Sequence, residues 1–443
     1  MTNTKSTWQN RPPGIPVNVP PPSVPLPFFF ASMIGLLALG ISLLFSAHTS
    51  VTDPTNDAVV GSVHFLMLAT LSMGILGALH QFIPVITNKA SRSQFISRIV
   101  FVSFLIGSFS LPLGFTFELE WLVVLGGFFA FIAVLAALIN FSKPLFKSSN
   151  IQSTGLKLSL LGFLFTACFG VVYVIDRSKN WFDLSGHIVL AHASIGLFSW
   201  LGLTYISVSE KLWPMFMLAH VKEKRRYPQI GIYSLFLGTL IFSVSLLFNL
   251  FPLQVLSGFM ILIGFTTHSI SLASHVRRRK RKADLHLAFL ITSEIFLVAS
   301  AVFAFVSVYY ELSSTLFANR LVACFITSLA GWLLLTYVGH LHKVVPFVEW
   351  ASLRSLGISK RNDGKPLLFA DLYKAIFAKT TYISLTCGLL LIVVGLASTL
   401  FRLIQLGGVL MIVTAITVMF NLSVIPIKLS IKSRLAKNND TVT

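Results

Sequence analysis

The sequence predicts an all-α polytopic membrane protein, with twelve transmembrane helices arranged as three related four-helix units. Three observations predict it. Of the 443 residues, 55% are hydrophobic and only 11% charged, with a mean hydropathy of +0.82; a soluble domain of this length needs far more charge on its surface. The apolar residues come in runs of about 20, the length that crosses a bilayer core. A short polar motif then recurs every fourth run, which is a signal of internal repetition.

Residues 1–26, with PPGIPVNVPPPSVP, are polar and proline-rich. They are too long and too poor in basic residues for the charged region of a secretory signal, and are expected as a cytoplasmic tail. Residues 27–428 read as one transmembrane domain, with spans expected at about 27–47, 60–86, 97–117, 121–141, 156–176, 186–217, 229–250, 253–275, 285–310, 316–348, 380–401 and 405–427. A basic tail, 429–443, follows.

The connecting segments alternate in charge. KASRSQFISR, KPLFK, HVKEKRRYP, HVRRRKRKAD, RSLGISKRNDGK and KLSIKSRLAK are basic; HTSVTDPTND, FELE, DRSKNWFD, NLFPLQ and YYELSS are neutral or acidic. Of the 34 Lys and Arg, only Arg177, Lys179, Arg320 and Arg402 fall on the second side. Positive-inside then puts both termini in the cytoplasm of a multi-pass protein of the cell membrane. The net charge of +19 reports this topology and contact with anionic lipid, not nucleic acid. Cys168, Cys324 and Cys387 stand alone in apolar runs, so neither a disulfide framework nor a thiolate metal site is expected.

Spans two, six and ten end in LHQFIPVI (79–86), SEKLWPMF (209–216) and LHKVVPFV (341–348). Each has a His or Glu four residues before a proline (His80, Glu210, His342) and a long polar side chain three before it (Gln81, Lys211, Lys343). The prolines, Pro84, Pro214 and Pro346, lie 130 and 132 residues apart. That period implies three four-helix units rotated about an axis along the membrane normal. A polar group one turn before a proline can bond carbonyls freed from the helix ladder, and a lysine there can reach the headgroups. His80, Glu210 and His342 are therefore read as helix-end structure, the alternative being a proton path or a ligand role. His340 lies about 200° around the helix from His342, so at most one of them is expected to face the interior.

Three of the eleven histidines lie in the outer third of a span: His64 in VHFLMLATLSMG, and His187 and His192 in GHIVLAHASIGLFSWLGL. His64 and His80 are about 24 Å apart along the helix and cannot share a site. His187 and His192 are about 140° apart, so one is expected to point inward. Imidazole is a common ligand of haem iron and copper, which makes His64 and His192 the metal-binding candidates, with His187 as a further cofactor-binding one. The competing reading is that they are polar packing groups. Gly74, Gly77, Gly196 and Gly202 let helices, or a flat macrocycle, come close. Glu294 in ITSEIFLV is the one carboxylate well inside a span, a proton-transfer candidate unless a neighbouring hydroxyl satisfies it. His220, His268, His275 and His286 are expected at the cytoplasmic interface and His48 at the outer one.

Twelve spans, both termini on one side and a four-span repeat resemble subunit I of the haem–copper oxidase superfamily over nearly the whole chain. VHFLMLATLSMGILGALHQFIPVI and AHASIGLFSWLGLTYISVSEKLWPMF are similar to the second and sixth helices of divergent subunit-I-like proteins, a neighbourhood that includes the NnrS-type nitric-oxide-response proteins. The resemblance implies haem and copper as cofactors, His64 at a haem-ligand position, and His192 or His187 at a copper-ligand position. Three features depart from the family. GIYSLFLGTLIFSVSLLFNLF has no His-His pair, Ala191 and Gly196 stand where a tyrosine follows the copper ligand, and LVACFITSLAGWLLLTYV has no outer histidine. What is implied is the fold without the full binuclear centre. The expected role is redox or nitric-oxide response beside other respiratory membrane subunits, not complete terminal oxidation. A secondary transporter shares the span count, although the major facilitator architecture repeats every six spans. A cofactor-free accessory subunit is the third reading.

Overall fold

In the computed structural model three tight hairpins are turned by one backbone device. At Glu118-Leu119, Asn249-Leu250 and Thr399-Leu400 the first residue is left-handed, with φ of 56°, 52° and 62°. The leucine that follows is extended, and its N–H donates to the carbonyl five residues back, on Gly114, Ser245 and Gly395, at 2.8, 2.8 and 3.0 Å. Three residues later Leu122, Leu253 and Leu403 donate to that leucine's own carbonyl at 2.9, 3.0 and 2.9 Å. One left-handed residue thus reverses the chain while the groups at both helix ends stay bonded.

The structure describes residues 20–424 except 180, 182–185, 220–225, 311–314, 356 and 362, so most of the N-terminal tail and all of the basic C-terminal tail lie outside it. Twelve helices are long and apolar enough to cross a membrane. They are α1 Pro25–Thr52, α2 Asp57–Thr87, α3 Gln94–Thr116, α4 Glu120–Phe146, α5 Ile151–Arg177, α6 Ile188–Met217, α7 Tyr227–Leu247, α8 Phe251–Arg277, α9 Leu285–Ser307, α10 Asn319–Arg354, α11 Ala375–Ser398 and α12 Phe401–Leu422. The hairpins are α3–α4, α7–α8 and α11–α12. Local chemistry fixes several ends. The Asn56 side chain accepts from the Ala58 N–H (3.0 Å) at the start of α2, and Ser93 Oγ from the Phe95 N–H (3.1 Å) at the start of α3.

Helices α2 and α6 share a finer pattern that the sequence does not announce. Each has an eight-residue π-helical segment, Phe65–Ser72 and Ile195–Gly202. Each continues as α-helix, Met73–Thr87 and Leu203–Met217, and closes on a left-handed residue, Asn88 and Leu218. Every one of these boundaries is offset by 130 residues, the spacing of Pro84 and Pro214. Helix α10 carries the related proline but no π segment among the described residues, and it does not end near Pro346 as expected. It runs on because Trp350 Nε1 donates to the Leu367 carbonyl (2.7 Å) and Leu353 packs on Leu367 and Leu372 of the returning chain.

Helices α2, α6 and α10 touch one another, each packs against the hairpin that follows it, and α1 packs against α12. Helix α10 is the most enclosed, with 72% of its most apolar window buried, against 22% for α5. Phenylalanines such as Phe45 and Phe305, each 80% exposed, point outward as lipid-facing side chains should. Hydroxyl pairs join helices from within: Ser42 and Ser46 with Ser62 (2.7 and 2.9 Å), Ser194 with Ser243 (2.8 Å), and Ser384 with Thr414 (2.7 Å). The ends segregate as the charge alternation requires. Arg177 binds both Asp57 and Glu120 at one end, while Lys89 reaches the Lys147 carbonyl and the Arg281 N–H the Met217 carbonyl at the other.

Candidate functional site

His64 is the last residue before the π segment of α2. Its Nδ1 lies 2.8 Å from the Val60 carbonyl, and because a carbonyl only accepts, Nδ1 carries the proton and Nε2 keeps its lone pair. The ring stacks on Phe115 of α3, with centroids 5.4 Å apart and planes at 24°. The Arg177 guanidinium lies over the same phenyl ring at 5.3 Å while it binds Asp57 and Glu120. Four side chains from α2, α3, α4 and α5, with the Val60 carbonyl, therefore fix one imidazole.

His192 precedes the π segment of α6 by three residues. Its ring lies against Gly170 and bonds the Thr166 main chain, both on α5, with the Tyr173 ring 6.3 Å away. Its Nδ1 is buried with no hydrogen-bond partner. His64 and His192 interact electrostatically across α2 and α6. The side chain of His187 lies outside the described residues.

The glycine-lined faces are filled. A Cβ on Gly74 would strike the phenol of Tyr337, whose hydroxyl is 2.5 Å from Ser32 Oγ, and one on Gly77 would lie 2.6 Å from Phe28 Cβ. Trp200 stacks on Phe163 (3.9 Å, 7°) and donates to Ser72 Oγ at 2.9 Å. These positions serve helix packing, and the residues present do not fit a haem. His192 Nδ1, buried without a partner, and His64 Nε2, whose ring proton is on Nδ1, are the kind of nitrogen that copper or another imidazole-preferring ion takes. Among the described residues no three His, Cys, Asp or Glu side chains form a metal cage.

At the opposite end His80 is structural. Its Nδ1 bonds the Leu76 carbonyl (2.7 Å), Nε2 faces Asn140 at 3.5 Å, and Phe28 and Phe141 flank the ring. His342 bonds the Val338 carbonyl (2.9 Å) in the same way. In both, the carbonyl used is one turn further back than the one freed by the proline. Glu210 is bonded to Ser271 of α8. Glu294 accepts from Ser269 Oγ (2.5 Å) and Trp332 Nε1 (3.3 Å), with His268 Nε2 at 4.0 Å.

Two expectations fail here, and His268, His275 and His286 are 2%, 3% and 5% exposed, while His220 lies outside the described residues. His340 and His342 are both buried, because α10 is enclosed on opposite faces: His286 of α9 lies 4.8 Å from His340, and Phe289 and Tyr373 lie against His342. Lys343 does not reach the headgroups; its ammonium bonds Asp284 at 2.5 Å. Asp284, His286, His342, Lys343 and Tyr373 line a cavity of about 30 Å³, room for one water. Burial, and then the Asp284 charge, push the Tyr373 phenol up. The acidic residue closing the basic run HVRRRKRKAD, two before His286, was the available sequence signal.

Neither a protein-family model nor a curated protein matches the chain.

Proposed function

We propose that the chain is a divergent subunit-I-like member of the haem–copper oxidase superfamily, set in the cell membrane with both termini cytoplasmic. Its outer His64–His192 pair binds copper and serves a redox or nitric-oxide-response role beside other respiratory membrane subunits. The observation that carries this is that the two imidazoles, each just ahead of a matched π segment of α2 or α6, interact electrostatically, with His192 Nδ1 buried and unpartnered. The three like hairpins around α2, α6 and α10 support a pseudo-threefold, oxidase-like arrangement. Haem is not part of the proposal, and neither is oxygen reduction.

Bound copper supplies one-electron chemistry. The chain supplies the tautomer and orientation that ligation needs: the Val60 carbonyl holds the His64 proton on Nδ1, and Phe115 with the Arg177 network fixes the ring plane.

Purified protein from copper-replete cells should carry about one copper per chain and no Soret band, oxidised or reduced. His64→Ala and His192→Ala should each lose the copper, and His80→Ala should keep it. Equal loss in His80→Ala, or wild-type protein that binds no Cu(I) on titration, would sink the reading. The second reading, a secondary transporter, is favoured by the titratable groups at the basic end, buried His268, His286, His340 and Lys343 with half-buried Glu294. Copper-free protein that moves protons in liposomes in response to a solute gradient would install it. Protein with neither property would be a cofactor-free accessory subunit.

A further inference from the structure

Helices α7 and α8 touch where Gly231 faces Thr267 and Gly264 faces Leu235. Beyond that contact, at the basic end of the bundle, they part around an open groove of about 680 Å³. Arg226 and Tyr227 line one side, Arg277 and Arg278 the other, and Ile270 and Ala273 form an apolar wall toward the middle of the span. Three arginines are matched by acids: Arg177 by Asp57 and Glu120, Arg281 by Asp284, Arg361 by Asp363 and Asp371. Among the described residues none of the three groove arginines has an acidic partner within salt-bridge distance. Three guanidinium groups lining one groove repel one another and create a positive potential that an anion would cancel. The groove also holds the start of α7, whose first N–H groups present the positive end of a 21-residue helix.

The apolar wall decides the kind of anion. Ile270 is 45% exposed on a membrane-spanning helix, with the charges one to two turns further out. A ligand that satisfies both parts has a phosphate at the membrane surface and a hydrocarbon chain below it. We propose that this groove binds the headgroup phosphate of an acidic phospholipid, with an acyl chain along Ile270 and Ala273. Its volume suits a headgroup with its glycerol. Generic attraction of basic loops to an anionic bilayer needs neither the groove nor the wall, and the inference does not depend on copper at the outer site.

The test is lipid retention by the full chain, read by native mass spectrometry after delipidation and titration with phosphatidylglycerol or phosphatidylcholine. R226Q/R277Q/R278Q should retain phosphatidylglycerol at least tenfold more weakly than the wild type, given that each basic side chain near an anionic surface contributes about 1 kcal/mol. R279Q/K280Q/K282Q, which removes as much charge from the same loop outside the groove, should stay within twofold. Phosphatidylcholine retention should not change. Equal losses in the two triple variants would overturn the proposal in favour of non-specific attraction. Displacement of the lipid by millimolar inorganic phosphate or glycerol phosphate would overturn it too, by assigning the groove to a soluble phosphate ligand. All three arginines are exposed, and an unchanged melting temperature in detergent checks that the variant folds.

Discussion

Among the described residues five imidazoles donate Nδ1–H to the carbonyl one turn back, from His64, His80, His275, His340 and His342, at 2.6 to 2.9 Å. The bond is local, so any helical histidine can make it, and what differs is the surroundings left to Nε2. His80 meets an asparagine, whereas the buried Nε2 atoms of His340 and His342 have no protein partner. The neighbouring ion pair is the sharper test of this region. Lys343 is 8% exposed at its side chain and Asp284 34%, so removing the acid strands the more buried charge. Asp284→Asn should cost about 3 kcal/mol of stability. Lys343→Met should cost less, about 1–2 kcal/mol, because water and Arg281 still serve the carboxylate. Joining the two changes should restore part of the loss. Thermal unfolding of the three variants gives the order, and a milder Asp284→Asn than Lys343→Met would refute the account. His64 and His192 were legible because their depth follows from counting residues along one span. The burial of Lys343, His286 and His268 was not, since it depends on which helix lies at the centre, and hydropathy assigns polar residues near a span's end to the interface.

At the scale of the element, the hairpins and the π segments differ in how far sequence reveals them. Glu-Leu-Glu-Trp-Leu, Asn-Leu-Phe-Pro-Leu and Thr-Leu-Phe-Arg-Leu share a left-handed residue followed by Leu-x-x-Leu, but leucine is too common in apolar spans for the pattern to stand out. The π segments leave no compositional mark at all. They need one more residue per hydrogen-bonded loop than an α-helix, and that follows from tertiary fit, not propensity. The left-handed positions carry unequal strain. Asparagine adopts positive φ readily, while β-branched Thr399 at φ 62° does so at a cost. Thr399→Gly should therefore stabilise by about 0.5–1 kcal/mol and Asn249→Gly should be nearly neutral. Melting temperatures of the two variants in one detergent decide it; a loss of stability in Thr399→Gly would mean that the threonine side chain, not the backbone, holds the turn.

For the whole molecule, prolines 130 residues apart were enough to expose the offset that α2 and α6 share, because repeats are a property of sequence order. How the ends of the chain meet is not, since no local pattern says that the first and last spans are neighbours. They are: α1 packs against α12 through two glycines facing each other, and a Cβ on Gly40 would lie 2.7 Å from the Gly408 carbonyl oxygen, one on Gly408 2.8 Å from that of Gly40. Gln405 Nε2 adds a bond from α12 to the Leu44 carbonyl at 3.0 Å. If this contact closes the bundle, a side chain there must push whole helices apart, because the clash is with backbone that cannot rotate away. Gly40→Val or Gly408→Val should then cost about 2–3 kcal/mol, the scale of overpacking in a tight interior. Gly258 on α8 is the internal control: a Cβ there meets nothing within 4 Å, so Gly258→Val should leave stability within about 0.5 kcal/mol of the wild type. Thermal melts of the three variants in the same detergent compare them directly. If Gly40→Val melts like Gly258→Val, α1 and α12 are not held together through these glycines, and the bundle is closed elsewhere.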